Sequence, residues 1–345
     1  MKIGKLVWQR GGRAGLRGLL LVLGVFGGLL AGCAPEPGKG DREVTGDERI
    51  CVTTTLFPYY DFVRQIAGDR VKLRLVIPAG MDSHSFEPTP ADMIAIQDSD
   101  LFLYNGGEME QWVEDVLESV QNPRLRTAAM MDCVEIVEEE LVEGMEEDEH
   151  EAGDGDDEHE VGRVREVEYD EHIWTSPVNA MEIVRVICGL LGEVDPGHRE
   201  FYEENAGRYL RELEGLDGEF RRVMERRRQD MIVVGDRFPF RYLADTYGIS
   251  YRAAFAGCSG DTEPSARTIA YLIEQVRERE LGAVFYLELS SHRVAEIIGE
   301  ETGAKPMLLH SCHNVTRKEF EEGITYLQLM EQNVRNLEIG LEAGQ

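Results

Sequence analysis

An order of motifs occurs twice in this chain, and that repeat is the strongest constraint on its fold. A predicted strand, a Phe-Pro dipeptide, a helical segment, a second strand and a loop with Glu-Pro follow one another in both halves. The dipeptides are Phe57-Pro58 and Phe238-Pro239, then Glu87-Pro88 and Glu263-Pro264. Strands that alternate with helices indicate a parallel sheet covered by helices. Although such dipeptides also recur by chance, their shared order predicts two similar α/β lobes with mainly parallel sheets.

One long helix is predicted between the two lobes. Apolar residues recur at roughly helical spacing over residues 194–229, with dense charge between them. We expect this linking helix to join an N-terminal lobe, residues 49–193, to a C-terminal lobe, residues 230–345. Loops that follow the strands would then face each other, and ligands bind outside the carboxyl ends of parallel strands.

The first 48 residues precede the predicted lobes. Residues 1–32 join a basic segment to a short apolar run, which is typical of an export signal and too short for a comfortable membrane span. A transmembrane anchor is the alternative. "LAGC", which ends at Cys33, resembles the bacterial lipobox and implies lipidation of that cysteine. Residues 33–48 are polar and rich in Pro and Gly, so we expect a flexible tether.

The chain is strongly acidic. Its formal charge is −30, and removal of residues 1–32, with five positive and no negative charges, gives −35. Such a balance argues against nucleic acid or anionic lipid as a binding partner, and it is compatible with attraction of cations.

Polar side chains that follow predicted strands supply the candidate functional residues. They are His84, His172, Asp236, Arg237, Glu288, His310 and His313. Imidazoles and carboxylates from separated loops are what a Zn²⁺ or Mn²⁺ site requires. A single histidine of this kind is more often structural or exposed, and the shared placement after strands is what favours a metal site.

Several stretches resemble the solute-binding lipoproteins of zinc and manganese ABC importers. "GMDSHSFEPTPAD" is similar to the first ligand motif of that family, and "DEHIWTSP" is similar to the second. "NAGRYLRELEGLD" resembles its linking helix. The resemblance covers nearly the whole chain after Cys33. It implies two lobes bridged by one backbone helix, a metal ion in the cleft, and an ABC permease with its ATPase as partners. We expect a lipid-anchored monomer at the outer face of the cytoplasmic membrane.

The resemblance also assigns a ligand set. His84 and His172 match the first-lobe ligands. The third ligand position falls at Arg237, which cannot ligate a cation, so Asp236 is the nearest replacement and Arg237 is left to pair with Asp236 or Glu288. The last position falls at His310, and Glu288 matches a carboxylate that ligates or supports the site. Three histidines with one carboxylate favour zinc over manganese, and affinity is expected to fall below about pH 6.

An acidic insert occupies residues 138–165. From Glu138 to Glu160, 14 of 23 residues are Asp or Glu, and His150 and His159 lie among them. This composition predicts a disordered loop. Zinc-type members of the family carry a His- and acid-rich loop here, which leads to the hypothesis of a weak, multivalent metal collector.

Five cysteines follow Cys33, so at least one thiol is unpaired. The resemblance implies a disulfide between Cys258 and Cys312. The alternative is that Cys312 offers a thiolate to the metal.

Two other functions stay open. No second histidine completes a His-Glu-x-x-His motif, and neither a nucleophile elbow nor a Gly-rich phosphate loop occurs, so we do not expect an enzyme. A metal-dependent hydrolase would nevertheless use the same histidines, because zinc with an open position is catalytic. A surface adhesin with a structural metal is the other alternative, and its metal-free form would unfold.

Overall fold

The structure is a computed structural model that describes residues 49–145, 168–259 and 263–342. Within these ranges, two four-stranded parallel sheets form the centres of two lobes. The first sheet contains β1 (Cys51–Thr54), β2 (Lys72–Leu75), β3 (Leu101–Tyr104) and β4 (Arg126–Ala129). The second contains β5 (Met231–Phe238), β6 (Ser250–Ala256), β7 (Ala283–Tyr286) and β8 (Lys305–Leu308). Their orders, β2-β1-β3-β4 and β6-β5-β7-β8, correspond, as the repeated motifs predict.

Helices cover both sheets. The first half contains α1 (Phe57–Ala67), α2 (Pro90–Gln97), α3 (Trp112–Ser119), α4 (Pro177–Val194) and α5 (Arg199–Arg226). The second half contains α6 (Arg241–Tyr247), α7 (Ala266–Glu278), α8 (Arg293–Thr302), α9 (Arg317–Glu321) and α10 (Tyr326–Gly340). Local sequence sets their ends. Thr89 and Asp92 form a capping box at the start of α2, and Gly248 ends α6 in the left-handed conformation that glycine tolerates best.

The helix α5 lies within the predicted linking range. Its 28 residues span about 42 Å at 1.5 Å per residue. It packs against α1 and α4 of the first lobe and against α6 and α10. Tyr202, Leu213 and Phe220 are among the residues of its buried face.

The C-terminal helix α10 contacts both lobes. The backbone N–H of Tyr326 donates to the buried carboxylate of Asp61 in α1 at 2.7 Å. One apolar core runs from Val52 in β1 to Leu341 after α10 and includes residues of both sheets. Because both lobes contribute to this one core, their packing against each other does not require a bound ion.

In the described ranges, no helix combines the length and the apolar character needed to cross a membrane. The predicted export signal, the tether and Cys33 lie outside the described residues. The same holds for His150 and His159 in the acidic insert.

Candidate metal centre

His84 is positioned by a tight turn that follows β2. Its backbone N–H donates to Asp82 Oδ1 at 3.0 Å, at the start of the 3₁₀ turn Ser83–Ser85. The side-chain amide of Asn314, from the second lobe, donates to the carbonyls of Pro78 and Met81, both at 2.8 Å. The loop is therefore fixed at its base by contacts from across the cleft.

His172 lies at the start of the 3₁₀ turn Ile173–Thr175 and is 1% exposed. Asp170 Oδ1 accepts from the His172 backbone at 2.8 Å and lies 3.3 Å from its Nδ1. A carboxylate that holds one ring nitrogen orients the ring and leaves the other nitrogen for a metal. A Cβ on Gly257 would lie 2.9 Å from the backbone carbonyl oxygen of Phe238 and 3.3 Å from His172 Nδ1, so a larger residue would force the backbone beside the ring to shift.

Asp170 also closes the stem of the acidic insert, defined here as residues 137–139 paired with 168–170. Glu139 N–H donates to the Glu168 carbonyl at 2.9 Å, and Asp170 N–H donates to the Val137 carbonyl at 3.0 Å. Glu138 and Tyr169 pair as an antiparallel bridge between them. The two strands of the stem thus lie side by side, two residues from His172, and residues 140–145 beyond the stem still pack on the second lobe.

His313 is the third histidine in the cleft, in the loop that follows β8. Its Nε2 lies 2.7 Å from Ser83 Oγ of the first lobe. Asn333 in α10 holds the start of this loop, because its side chain accepts from the backbone N–H of His310 and donates to the His310 carbonyl, both at 2.7 Å. Trp174 Nε1 donates to the Ser311 carbonyl at 2.8 Å.

The rings of His84, His172 and His313 converge. Ring centroids are 6.3 Å apart for His84 and His172, 5.7 Å for His84 and His313, and 5.5 Å for His172 and His313. One nitrogen from each ring lies within 4.8 Å of the others. Tetrahedral zinc with bonds near 2.1 Å needs nitrogens about 3.4 Å apart, so small side-chain rotations suffice to close the site.

Electrostatics keep two of these rings unprotonated. Burial, the Arg237 charge and His172 lower the pKa of His84 to about 4, against the opposing effect of Asp82. Burial, with further effects of His172 and His84, lowers the pKa of His313 well below its usual range. Both imidazoles are therefore neutral near pH 7, which is the form that binds a metal.

His310, which the sequence assigned to the metal, does not join this group. Its ring is buried, and its Nδ1 accepts a hydrogen bond from the Cys312 backbone at 2.9 Å. That nitrogen lies 3.6 Å from Glu288 Oε1. His310 therefore supports the loop that carries His313.

Glu288 and Asp236 also lie outside the group of three. Glu288 accepts from the Ser311 backbone at 2.8 Å and from the Ser311 hydroxyl, so it supports the same loop. Burial raises the pKa of Asp236, whose Oδ1 accepts from the Arg237 backbone at 3.3 Å. Asp236 sits where the pairing of β5 with β6 shifts register between Val234 and Arg237. Such irregularities redirect side chains.

Arg237 faces the first lobe. Its Nη2 lies 3.2 Å from Asp82 Oδ2, and its Nη1 donates to the Ser259 carbonyl at 3.2 Å. The expected side-chain pairing with Asp236 or Glu288 is replaced by this contact across the cleft. Sequence spacing could not show it, because Asp82 belongs to the opposite lobe.

A cavity of about 380 Å³ opens onto the three histidines. Residues of both lobes line it, including Asp82, Asp236, Arg237, Ser290, Arg293 and Asn314. The arrangement offers three nitrogen donors and an open fourth position, which suits a divalent cation of borderline softness.

The predicted disulfide between Cys258 and Cys312 is wrong, because both thiols are free. Cys258 lies at the insert stem, where its N–H donates to Glu139 Oε1 at 2.9 Å. Cys312 directly precedes His313 in the same loop, and its side chain is buried, with the sulfur 3.8 Å from the His310 carbonyl oxygen. Burial raises the pKa of both thiols well above the usual range, so neither is present as a thiolate near pH 7.

Two α/β lobes around a histidine-lined cleft define a solute-binding protein with a site suited to a metal ion. The chain belongs to the ZnuA family, described as zinc-uptake complex component A, periplasmic, which matches residues 52–340. The resemblance to zinc-importer binding proteins and the two-lobed fold class, both expected from the sequence, are thereby confirmed.

Individual relatives agree with this assignment. The chain is 34% identical over 313 residues to the high-affinity zinc uptake system protein ZnuA of Bacillus subtilis, covering 91% of this chain and 94% of that protein. It is 31% identical over 294 residues to the zinc-binding lipoprotein AdcA of Streptococcus pneumoniae, covering 84% of this chain but 56% of AdcA. A crystal structure of the Zn(II)-bound ZnuA-like domain of that AdcA matches with a TM-score of 0.68 and 28% identity, covering 85% of this chain and 99% of the domain.

Proposed function

We propose that this protein captures a zinc ion between its lobes, outside the cytoplasm, and delivers it to an ABC permease and its ATPase. The cluster of His84, His172 and His313 carries the proposal, because it gathers three imidazole donors from both lobes in one cleft. Imidazole suits zinc, whereas manganese prefers carboxylate and carbonyl oxygens. The zinc uptake function named for the Bacillus subtilis relative supports the same ion.

We infer that the ion is cargo rather than a catalytic or structural metal. The apolar core that joins both sheets contains no metal ligand, so the metal-free form is expected to stay folded. Membership of an uptake family further supports transport over hydrolysis. Circular dichroism of chelator-treated protein tests the structural alternative, which requires unfolding. Incubation of the zinc-loaded protein with ester and peptide substrates tests the hydrolase alternative, which requires turnover.

Zinc titration of single variants tests the ligand set. Loss of a residue that hydrogen-bonds a metal ligand, without touching the metal, weakens metal binding about 10- to 100-fold. Loss of a ligand should cost more, so His84→Ala, His172→Ala and His313→Ala are each expected to weaken zinc affinity more than about 100-fold. His198→Ala, at a site between α4 and α5, is the matched control and should bind as the wild type does. His310→Ala should weaken binding less than His313→Ala, since it removes no donor. Wild-type affinity in His313→Ala would refute this set.

We propose that Cys33 carries lipid and anchors a monomer to the outer face of the membrane. Support comes from "LAGC" after the apolar run, and from the lipoprotein description of AdcA. A lipidated N-terminus holds a protein at the membrane without a spanning helix. Cys33→Ser should move the protein from the membrane fraction to the soluble fraction, and retention in the membrane would contradict the anchor.

We propose that the acidic insert, with His150 and His159, collects zinc weakly near the cleft. Its stem supports this, because the chain returns from the insert through Asp170 directly to His172. Deletion of residues 146–167 should lower the number of zinc ions that bind weakly and leave the affinity of the tight site unchanged. Loss of tight binding in the deletion variant would end the collector hypothesis.

A further inference from the structure

The three histidines leave one zinc coordination position without a protein ligand. Zinc in proteins is usually four-coordinate and tetrahedral, and where three protein side chains bind it the fourth position holds a molecule from solution. Among the described residues, the group whose donor atoms lie within 4.8 Å of one another contains His84, His172 and His313, with no carboxylate or thiol. Asp236 and Glu288 are held by other hydrogen bonds, as described above. Within the described part of the chain, the candidates for a fourth ligand are therefore a molecule from solution or a lining carboxylate that moves, such as Asp82.

Arg237 lines the same cavity as His84, His172 and His313. Its Nη2 lies 3.2 Å from Asp82 Oδ2, two residues before His84, so the guanidinium is on the His84 side of that cavity. Two of its five N–H groups are directed at Asp82 and the Ser259 carbonyl. Among the described residues, the planar guanidinium has further N–H groups without a partner, and this fork matches the two oxygens of a carboxylate or similar oxyanion.

The space and the charge of the cavity fit a small anion. A volume of about 380 Å³ far exceeds that of a bare ion, since one water molecule occupies about 30 Å³. The ionisable lining, besides the histidines, consists of Asp82, Asp236, Glu263 and Glu288 against Arg237 and Arg293. Formal charges sum to −2 in the metal-free cavity and to zero once Zn²⁺ is bound. The empty site thus repels an anion, whereas the loaded site does not.

We propose that the protein holds zinc together with a small oxyanion. One oxygen of the anion ligates the zinc ion, and a second oxygen of the same anion accepts hydrogen bonds from Arg237. The inference rests on the zinc-binding function proposed above and names the fourth ligand of that same site. Zinc binds first and the anion follows, because only the loaded cavity tolerates a further negative charge. Arg237 then acts as a positioning residue for the exogenous ligand, in place of a protein side chain that would ligate zinc itself.

Zinc titrations with and without an anion test the proposal. Metal-free protein in a non-coordinating, chloride-free buffer is titrated alone and with acetate, bicarbonate or phosphate, and the largest effect identifies the class of oxyanion. The anion is expected to raise zinc affinity about tenfold, and zinc must raise anion affinity by the same factor. Arg237→Met should keep zinc binding and lose this dependence. Arg237→His should bind zinc more tightly and without anion dependence, because it supplies a fourth nitrogen.

Arg241→Met is the matched control, since Arg241 pairs with Glu140 and Asp245 outside the cavity and its loss should preserve the anion effect. Cobalt(II) in place of zinc gives a direct readout, because the visible spectrum should change with the anion in wild type and not in Arg237→Met. An equal anion effect in Arg237→Met, or no effect in wild type, overturns the proposal. Anion-independent binding that is lost in Asp82→Asn would assign the fourth position to Asp82 instead. Absence of zinc binding under every condition would refute the zinc function itself.

Discussion

Replacing His84 by glutamine should make the metal-free protein more resistant to acid. The pKa of His84 is about 4 in the fold, against 6.5 for an ordinary histidine. Because the folded value is the lower one, the unfolded chain takes up the proton first as the pH falls from 6.5 to 4. The free energy of unfolding therefore decreases across this window. At about 1.4 kcal/mol per pKa unit, the difference costs the wild type about 3 kcal/mol by pH 4.

Urea unfolding of chelator-treated wild type and His84→Gln, at intervals between pH 7 and pH 4, measures this effect. Other groups titrate too. Burial raises the pKa of both Glu110 and Glu171 to about 7, so their protonation in the folded state increases the free energy of unfolding as the pH falls from 7. Their contribution is present in both proteins and cancels in the difference. The stability of His84→Gln relative to wild type should rise by about 3 kcal/mol from pH 7 to pH 4.

Parallel stability profiles of the two proteins would refute the reasoning, since they would mean that burial and Arg237 do not suppress protonation of His84. His198→Gln serves as the control for replacing any histidine. A low pKa also means that protons compete with zinc for His84 only near pH 4.

Three further predictions concern the support of the site. Gly257→Ala should weaken zinc binding about tenfold or more in chelator competition, because the added methyl group would lie 2.9 Å from the Phe238 carbonyl oxygen and 3.1 Å from the Asp170 carboxylate that orients His172. Asn333→Ala should lower the free energy of unfolding by about 2–3 kcal/mol in urea, since two buried hydrogen bonds to the His310 backbone are lost. Alkylation of denatured protein without reductant should label both Cys258 and Cys312, because both thiols are free.

Each of these predictions has a contradicting result. Unchanged zinc affinity in Gly257→Ala would show that His172 is free to move or is not a ligand. Unchanged stability in Asn333→Ala would mean that the loop of His313 does not depend on α10. Protection of both cysteines until reductant is added would restore the disulfide.

The sequence predicted the two α/β lobes, and it placed His84 and His172 among the candidate ligands. Repeated dipeptides between strands and helices are local signals, and they indicated two parallel sheets. His84 and His172 were proposed because each sits in a short polar loop close to a predicted strand or in a motif of fixed spacing, and the structure brings their rings together. These properties depend on nearby residues, which a linear reading captures.

The second-lobe part of the site depends on local geometry that the sequence does not display. The sequence singled out the loop after β8 and proposed His310 in it, whereas the ring that lies beside His84 and His172 is that of His313. Cys312, between them, has a φ of 61°, so the backbone reverses its course and residue counting cannot show which ring faces the cleft. The register shift in β5 similarly redirects Asp236 and Arg237, and the partner of Arg237 lies more than 150 residues away in the chain.

The stem of the acidic insert makes this protein a practical scaffold for a zinc sensor. Because residues 137–139 and 168–170 are paired, the chain departs and returns at neighbouring points, and the length of what lies between need not alter the path to His172. A circularly permuted fluorescent protein, whose own termini are close together, could replace the segment between the two strands of this stem. Its chromophore would then be coupled through Asp170 to His172, a proposed ligand of the ion, so that occupancy of the cleft is reported as light.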